Sequence, residues 1–242
     1  TEFEGFPHLK DNIPSLLYTL GVVASSLISW YFKEVFATGT LQGSYSHTYP
    51  KQVRAFPIHR IIFTTPAERR SSLVIETKDM YQLFTQNTDM QPILAFVDAR
   101  LAAQPEESDV VHDLLAFLAE QMVEMNKEKN TEIKKFLTFI ESEIGNSIDA
   151  LSNKTLIQEY YLNDFTKFVD VLVKNKSKIK EGYNPKSRAH HDTLKDWYDS
   201  SVAKLIPLLT KIDVTDALID QIVYKLYGLT DEEIRIVEGK AN

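Results

Sequence analysis

One short polar stretch, residues 43–58, holds most of the side chains that could do chemistry. It reads Gly-Ser-Tyr-Ser-His-Thr-Tyr-Pro-Lys-Gln-Val-Arg-Ala-Phe-Pro-Ile, and so combines hydroxyls, amides, aromatic rings and two cations. Such groups donate and accept hydrogen bonds at phosphates and at the edges of DNA bases. The stretch is therefore the candidate binding site, and the rest of the chain must position it.

Nine side chains in and beside this stretch are the candidate DNA contacts. Amides such as those of Gln42 and Gln52 can pair with adenine, whereas Lys51 and Arg54 suit guanine edges or phosphates. Serine hydroxyls can donate to phosphate oxygens, and the rings can stack or donate. The complete set is Gln42, Ser44, Tyr45, Ser46, His47, Tyr49, Lys51, Gln52 and Arg54.

A plainer interpretation is equally open for each of these residues taken alone. Tyr45 and Tyr49 could pack on an aromatic pair upstream, Trp30 and Phe32, and the two cations could be ordinary surface residues. The stretch as a group holds the hydroxyls, amides, rings and cations that DNA contacts use, but these residues alone do not decide between the two interpretations.

Composition places the chain among ordinary globular proteins. Its 242 residues are 43% hydrophobic and 25% charged, which is enough apolar material to bury a core. The chain has no cysteine, so disulfides and thiolate metal sites are excluded and a reducing, cytoplasmic location is expected. The sequence begins at Thr1 without a signal-like start, and we expect a fragment of a longer protein.

Charge is distributed unevenly along the chain. The net charge is −7, which argues against general attraction to nucleic acid. Residues 1–62 nevertheless carry five Lys and Arg against four Asp and Glu, a net charge of +1, and the remainder carries −8. The acidity thus belongs to the C-terminal part, and two of the five cations of the N-terminal part lie on the candidate stretch.

The N-terminal part should hold a buried helix and the strand content of the chain. Apolar residues recur at helical spacing over residues 14–36, a length that could span a bilayer. We reject a membrane helix because serines dilute the run, Lys33 and Glu34 end it, and no basic flank sets a topology. Residues 56–63, Phe-Pro-Ile-His-Arg-Ile-Ile-Phe, predict a strand entered past a proline.

The remainder predicts long amphipathic helices. An apolar stripe from Val111 to Ile144 predicts one helix that begins near Ser108 and stops at Gly145, with His112 and Asp113 facing solvent. The predicted fold is mainly α, with a small α/β recognition portion at residues 1–64 followed by a long-helix bundle or coiled-coil-like scaffold at residues 65–242. Further helices are predicted at residues 66–84, 93–101, 162–174, 194–209, 213–227 and 231–237.

Four stretches have a pattern that is similar to a known family. Residues 219–238 read Ile-Asp-Gln-Ile-Val-Tyr-Lys-Leu-Tyr-Gly-Leu-Thr-Asp-Glu-Glu-Ile-Arg-Ile-Val-Glu, and residues 51–58 read Lys-Gln-Val-Arg-Ala-Phe-Pro-Ile. The first resembles the end of type IIG restriction-modification and adenine-N6 DNA methyltransferase polypeptides. The second, with the apolar run at residues 20–32, is similar to their TaqI-like C-terminal specificity domain. Residues 111–145 resemble the helical region between these parts.

The resemblance implies a target-recognition fragment of a prokaryotic defence enzyme. In that family this region reads DNA, a separate domain methylates adenine with S-adenosylmethionine, and in fused forms another domain cleaves. This chain has no Asn-Pro-Pro-Tyr-like motif and no Gly-rich cofactor motif, so we expect no catalytic residue, cofactor or metal in it. The cofactor S-adenosylmethionine is expected in the parent protein. The expected partners are duplex DNA and a missing upstream methyltransferase domain.

Two other functions stay open at this point. The chain could be a helical protein-interaction scaffold for subunit or domain assembly, in which the long helix at residues 108–145 pairs with a partner or with a second copy of the chain. It could also hold a nuclease or methylase activity, although the missing motifs make this the weakest of the three hypotheses.

Overall fold

The computed structural model describes residues 14–37 and 49–240, and these ranges are helical almost throughout. Short 3₁₀ and π-helical turns connect the longer elements. The mainly α prediction is confirmed. The α-helices are α1 (Leu16–Ala24), α2 (Ser26–Phe32), α3 (Pro50–Val53), α4 (Ala67–Asn87), α5 (Gln91–Leu101), α6 (Ser108–Ile144), α7 (Lys154–Gln158), α8 (Phe165–Lys174), α9 (Arg188–Leu226) and α10 (Asp231–Val237).

The apolar run near the N-terminus is two helices rather than one. Ser25 separates α1 from α2, and its side chain accepts a hydrogen bond from the Ile28 N–H, as an N-cap does. Asp220 also contributes, because its carboxylate accepts from the Ser26 N–H at 2.7 Å and from the Ser26 hydroxyl at 2.6 Å. A carboxylate from far along the chain thus stabilises a second helix start inside the run.

No single helix within residues 14–37 and 49–240 is long and apolar enough to cross a bilayer. The segments Leu16–Ala24 and Ser26–Phe36 satisfy length and composition only when taken together, across a bend of 66°.

The predicted strand at residues 56–63 is wrong, and the described residues do not support the small α/β portion. No strand occurs in residues 14–37 and 49–240. Residues 57–64 run without helix or ladder pairing, and Ile61 is buried among helices at 1% exposure. An apolar run past a proline predicts extended backbone, but a strand also needs a neighbouring strand, which this sequence does not supply here.

The two longest helices differ in how well their bounds were predicted. The α6 helix ends at Ile144, and Gly145 follows with a φ of +67°, so the predicted stop is confirmed. The predicted helices at 194–209 and 213–227 are instead one helix, α9, which continues through Pro207. A proline inside a helix costs about 3 kcal/mol, and buried side chains on both sides of it, including Leu205 and Leu218, offset that cost.

The described residues form two compact units, each with its own apolar core. The first unit is made from residues 1–122 and 213–242, and the second from residues 123–212. These limits differ from the predicted boundary after residue 64, and a separate recognition region at 1–64 stays a prediction about function. The first core includes Tyr18, Val22, Ile28, Ile61, Tyr81, Phe84, Leu114, Leu118, Ile222 and Val223. The second includes Phe136, Ile140, Ile144, Tyr160, Phe168, Leu172, Leu194, Tyr198 and Leu205.

Candidate nucleic-acid interface

Four of the nine candidate contacts lie on or beside α3, a single helical turn. Proline at position 50 opens this turn, and Tyr49, Lys51 and Arg54 are exposed, Tyr49 at 61%. That exposure argues against the plainer interpretation in which Tyr49 packs into the core. The other five candidates lie outside the described residues; they are Gln42, Ser44, Tyr45, Ser46 and His47.

Gln52 has a local role that its sequence position did not reveal. Its side-chain oxygen accepts a hydrogen bond from the Tyr49 N–H at 2.7 Å, which satisfies one of the free donors at the start of α3. The amide NH₂ group and the second lone pair of the oxygen are then left for a ligand. Pairing with both edge groups of an adenine requires both halves of the amide, so the bond to Tyr49 restricts the orientation in which Gln52 can make that contact.

The cations around α3 carry no partner within the described ranges. Lys51, Arg54 and Arg60 are exposed, and none of them forms an ion pair with a described carboxylate. Two other arginines of the same unit, Arg69 and Arg100, each bind Glu107 at 2.8 Å. Lys78 and Arg235 of this unit also lack a described ion pair, so unpaired positive charge lies both around α3 and elsewhere on the unit.

Lys33 lies beside this surface because its neighbour Phe32 contacts Phe56, a contact that the sequence could not reveal. Lys33 is exposed and directly follows Phe32 at the end of α2. The Phe32 ring meets the Phe56 ring edge to face, with centroids 6.3 Å apart, and Phe56 follows α3 by three residues. The end of α2 is thus beside α3. Neither Lys33 nor Arg60 was among the candidate contacts. No local sequence pattern indicates that Lys33 lies near α3, which is distant from it in sequence.

Two tyrosines hold the backbone that follows α3. The Tyr227 hydroxyl donates to the Pro57 carbonyl at 2.7 Å and accepts from the His59 N–H at 2.8 Å. The Tyr18 hydroxyl donates to the His59 carbonyl at 3.1 Å. Side chains thus satisfy the backbone groups that a neighbouring strand would satisfy in a sheet.

Burial raises the pKa of both phenols above the ordinary tyrosine value. For Tyr227 the hydrogen bond from the His59 N–H acts in the opposite direction but is the smaller effect. For Tyr18 the neighbouring Tyr227 phenol adds to the effect of burial. Both hydroxyls therefore remain protonated at neutral pH, as their role as donors requires.

The far end of the same segment is held by a buried carboxylate. Asp109, at 0% exposure, accepts from the Thr65 N–H at 2.8 Å and from the Thr65 hydroxyl at 2.7 Å. Arg70 lies 3.9 Å from the same carboxylate and 5.1 Å from the centre of the Phe63 ring. Hydrogen bonds from helices therefore fix both ends of residues 57–65, the segment that follows α3.

His112 does not face solvent, so that prediction was wrong. Its exposure is 4%, its Nε2 accepts from the Ser15 N–H at 2.9 Å, and its Nδ1 donates to Asp113 at 2.8 Å. These partners fix one neutral tautomer of the ring. The prediction assumed that α6 buries a single stripe, but the start of α6 is buried on several sides, including Asp109, Val110 and Val111.

The exposed side chains of this surface are of the kinds that bind anionic ligands. The α3 turn carries exposed cations, the Tyr49 phenol and the Gln52 amide, and the segment that follows it is fixed by hydrogen bonds. This arrangement suits an anionic ligand whose charges are spaced along its length. No group of three or more His, Asp or Glu side chains is placed to hold a metal ion within residues 14–37 and 49–240.

The chain is thus a helical protein of two compact units with a cationic surface on the first. A family model described as a domain of unknown function (DUF8810) matches residues 108–223. That match contains the whole second unit and parts of α6 and α9 that belong to the first, but not α3. A search of curated proteins and a search of solved structures found no match.

Proposed function

We propose that the surface around α3 binds duplex DNA, and that the chain is a non-catalytic, sequence-reading module of a restriction-modification methyltransferase. The observation that carries the proposal is the exposed pair Lys51 and Arg54, which has no described ion-pair partner in a chain that is acidic overall. Unpaired cations at a fixed spacing release counterions from phosphates, and this supplies most of the affinity of proteins for DNA.

Two features of the chain support this assignment over a general anion site. The stretches that most resemble the methyltransferase family, residues 51–58 and 219–238, are far apart in sequence but meet through Tyr227 and Pro57. The polar groups beside the cations, an exposed ring and an amide, are of the kind that reads base edges. In this proposal the parent enzyme methylates adenine in an upstream domain with S-adenosylmethionine, and this chain supplies the target recognition.

The test is fluorescence anisotropy with a pool of labelled DNA duplexes at low and moderate salt. We compare the wild type with a Lys51→Ala/Arg54→Ala variant. The matched control is Lys174→Ala/Lys176→Ala, which removes two exposed lysines from the second unit that also lack described ion pairs. Gln52 is left intact because it stabilises α3.

The expected result is salt-sensitive binding by the wild type and by the control. The Lys51→Ala/Arg54→Ala variant should bind at least about tenfold more weakly at low salt, and its salt slope should fall by roughly two, one for each phosphate that the variant no longer neutralises. Circular dichroism verifies that the helices are intact. The proposal is wrong if the wild type does not bind at low salt, or if both variants lose affinity equally.

A scaffold function is favoured by one observation on the second unit. Leu162 and Ile206 are large apolar side chains that are 66% and 55% exposed. A partner protein or a second copy of the chain could cover them. Sedimentation velocity over a range of concentrations tests self-association, and a monomer at all concentrations would remove the homo-oligomer from consideration.

A further inference from the structure

We propose that Tyr227 is a positioning residue for the surface around α3. Its phenol fixes the backbone at Pro57 and His59, so that α3 presents Lys51 and Arg54 in one orientation. The effect on DNA binding rests on the proposed function, whereas the fixing of α3 does not. The two parts of the proposal can therefore fail separately.

The geometry around the phenol is specific. One hydroxyl group serves two backbone groups at once, as a donor to the Pro57 carbonyl at 2.7 Å and as an acceptor from the His59 N–H at 2.8 Å. The His59 ring meets the Tyr227 ring edge to face, with centroids 5.5 Å apart. Removing the oxygen leaves both backbone groups without these partners, although the ring contact remains.

Tyr227 is itself held in a fixed place at the end of α9. Gly228 follows with a φ of +66°, a left-handed conformation that glycine adopts without steric cost. The Leu229 N–H then donates to the Tyr224 carbonyl at 3.0 Å, and the Gly228 N–H donates to the Lys225 carbonyl at 3.0 Å. This pair of bonds is a Schellman motif, which terminates the helix in one defined geometry. The phenol therefore projects from a rigid point.

The segment between Tyr227 and the cations is short. Pro57 lies only three residues beyond Arg54, and the intervening backbone is joined to α3 by bonds from the Ala55 N–H to the Gln52 carbonyl and from the Phe56 N–H to the Val53 carbonyl. A displacement at Pro57 must therefore move α3. The uncharged Tyr227 side chain thereby controls the positions of the Lys51 and Arg54 charges.

The first measurement is independent of DNA. The chain has no cysteine, so an Ala55→Cys substitution at an exposed position gives a single site for a nitroxide spin label. Electron paramagnetic resonance then compares this labelled protein with the same protein carrying Tyr227→Phe. The matched control carries Tyr161→Phe, the same chemical change at a half-buried tyrosine of the second unit.

We expect Tyr227→Phe to raise the mobility of the label and Tyr161→Phe to leave it unchanged. Phenylalanine keeps the ring in place, so circular dichroism should change little, whereas the melting temperature should fall by a few degrees because two backbone groups lose their partners. A Tyr18→Phe/Tyr227→Phe variant, which also removes the bond to the His59 carbonyl, should raise the mobility further. Unchanged mobility in both variants would overturn the positioning role, whatever the DNA results are.

The second measurement is DNA binding by the unlabelled proteins over a range of salt concentrations. With Tyr227→Phe we expect roughly three- to tenfold weaker binding and a smaller salt slope, because a loosened α3 binds fewer phosphates at the same time. A purely structural role would lower the melting temperature without changing the slope. If the mobility rises but affinity and slope match the wild type, Tyr227 does not position a DNA contact. If the wild type itself does not bind, the proposed function fails while the fixing of α3 stands.

Discussion

Both compact units combine an apolar core with side-chain hydrogen bonds to the backbone, such as those between Asn175 and Ser152 in the second unit, and the arrangement of these contacts differs. In the first unit, tyrosine hydroxyls and a buried carboxylate bind the backbone of a segment that has no regular structure, at Pro57, His59 and Thr65. In the second unit, aromatic rings pack on one another around Phe136, whose ring centre lies 4.0 Å from that of Tyr160 and 5.6 Å from that of Phe168.

The side-chain bonds of the first unit hold the backbone that follows α3. Irregular backbone can lie among helices only if its N–H and C=O groups find partners, and the first unit supplies those partners from side chains. It can therefore present a short turn with exposed cations. The second unit connects its helices by short turns around a core of rings, and several of its surface lysines pair with carboxylates, such as Lys186 with Asp170 at 3.2 Å.

The largest expected effect tests the aromatic core of the second unit. Phe136→Ala removes a ring of 1% exposure that contacts several others, and we expect a decrease of about 3–5 kcal/mol in the free energy of unfolding. Urea unfolding measures the decrease, and amide hydrogen exchange locates it. We expect faster exchange in α8 and in the part of α9 that belongs to the second unit, with the amides of His59 and Thr65 still protected. Equally fast exchange in both units would show that they unfold as one.

A smaller effect is expected from the carboxylate that holds the segment in the first unit. Asp109→Ala removes the acceptor of the Thr65 N–H and of the Thr65 hydroxyl. Arg70 then keeps only Asp113 as a carboxylate partner. We therefore expect the free energy of unfolding to fall by about 3 kcal/mol. Asp79→Ala, at an exposed position on α4, is the control and should cost less than about 0.5 kcal/mol. Exchange at Thr65 should rise in the first variant only. A destabilisation no larger than that of the control would refute the role of Asp109.

The smallest expected effect concerns alkaline pH and involves both units. Burial raises the pKa of Tyr160 in the second unit to about 12, and that of Tyr224 in the first to about 12. The unfolded phenol ionises near pH 10. The stabilisation is therefore complete below pH 10 and is lost as the pH rises from 10 towards 12.

Urea unfolding at a series of alkaline pH values measures this decline. Tyr160→Phe and Tyr224→Phe should each make it shallower, since each removes one buried phenol that ionises on unfolding. A decline of the same steepness in both variants would mean that other groups cause it. If only one variant changes the slope, the burial of phenols matters in that unit alone.

Much of the helical pattern was predictable because its signals are local. The apolar stripe of α6, the glycine that ends it, and the Thr230 side chain that accepts from the Glu233 N–H at the start of α10 act within a few residues of where they stand. The exposure of Lys51 and Arg54 was also predictable, since long cationic side chains are seldom buried without a partner.

The remaining features depend on residues that are distant in sequence. The break at Ser25 is stabilised by Asp220, and the burial of His112 is set by its bond to Ser15. The sequence by itself determined a mainly helical chain with unpaired cations near its N-terminal part, because periodicity and side-chain charge are written locally. Only the tertiary structure decided that residues 57–64 are irregular backbone held by tyrosines, because a hydrogen-bond partner from another part of the chain decides whether extended backbone becomes a strand.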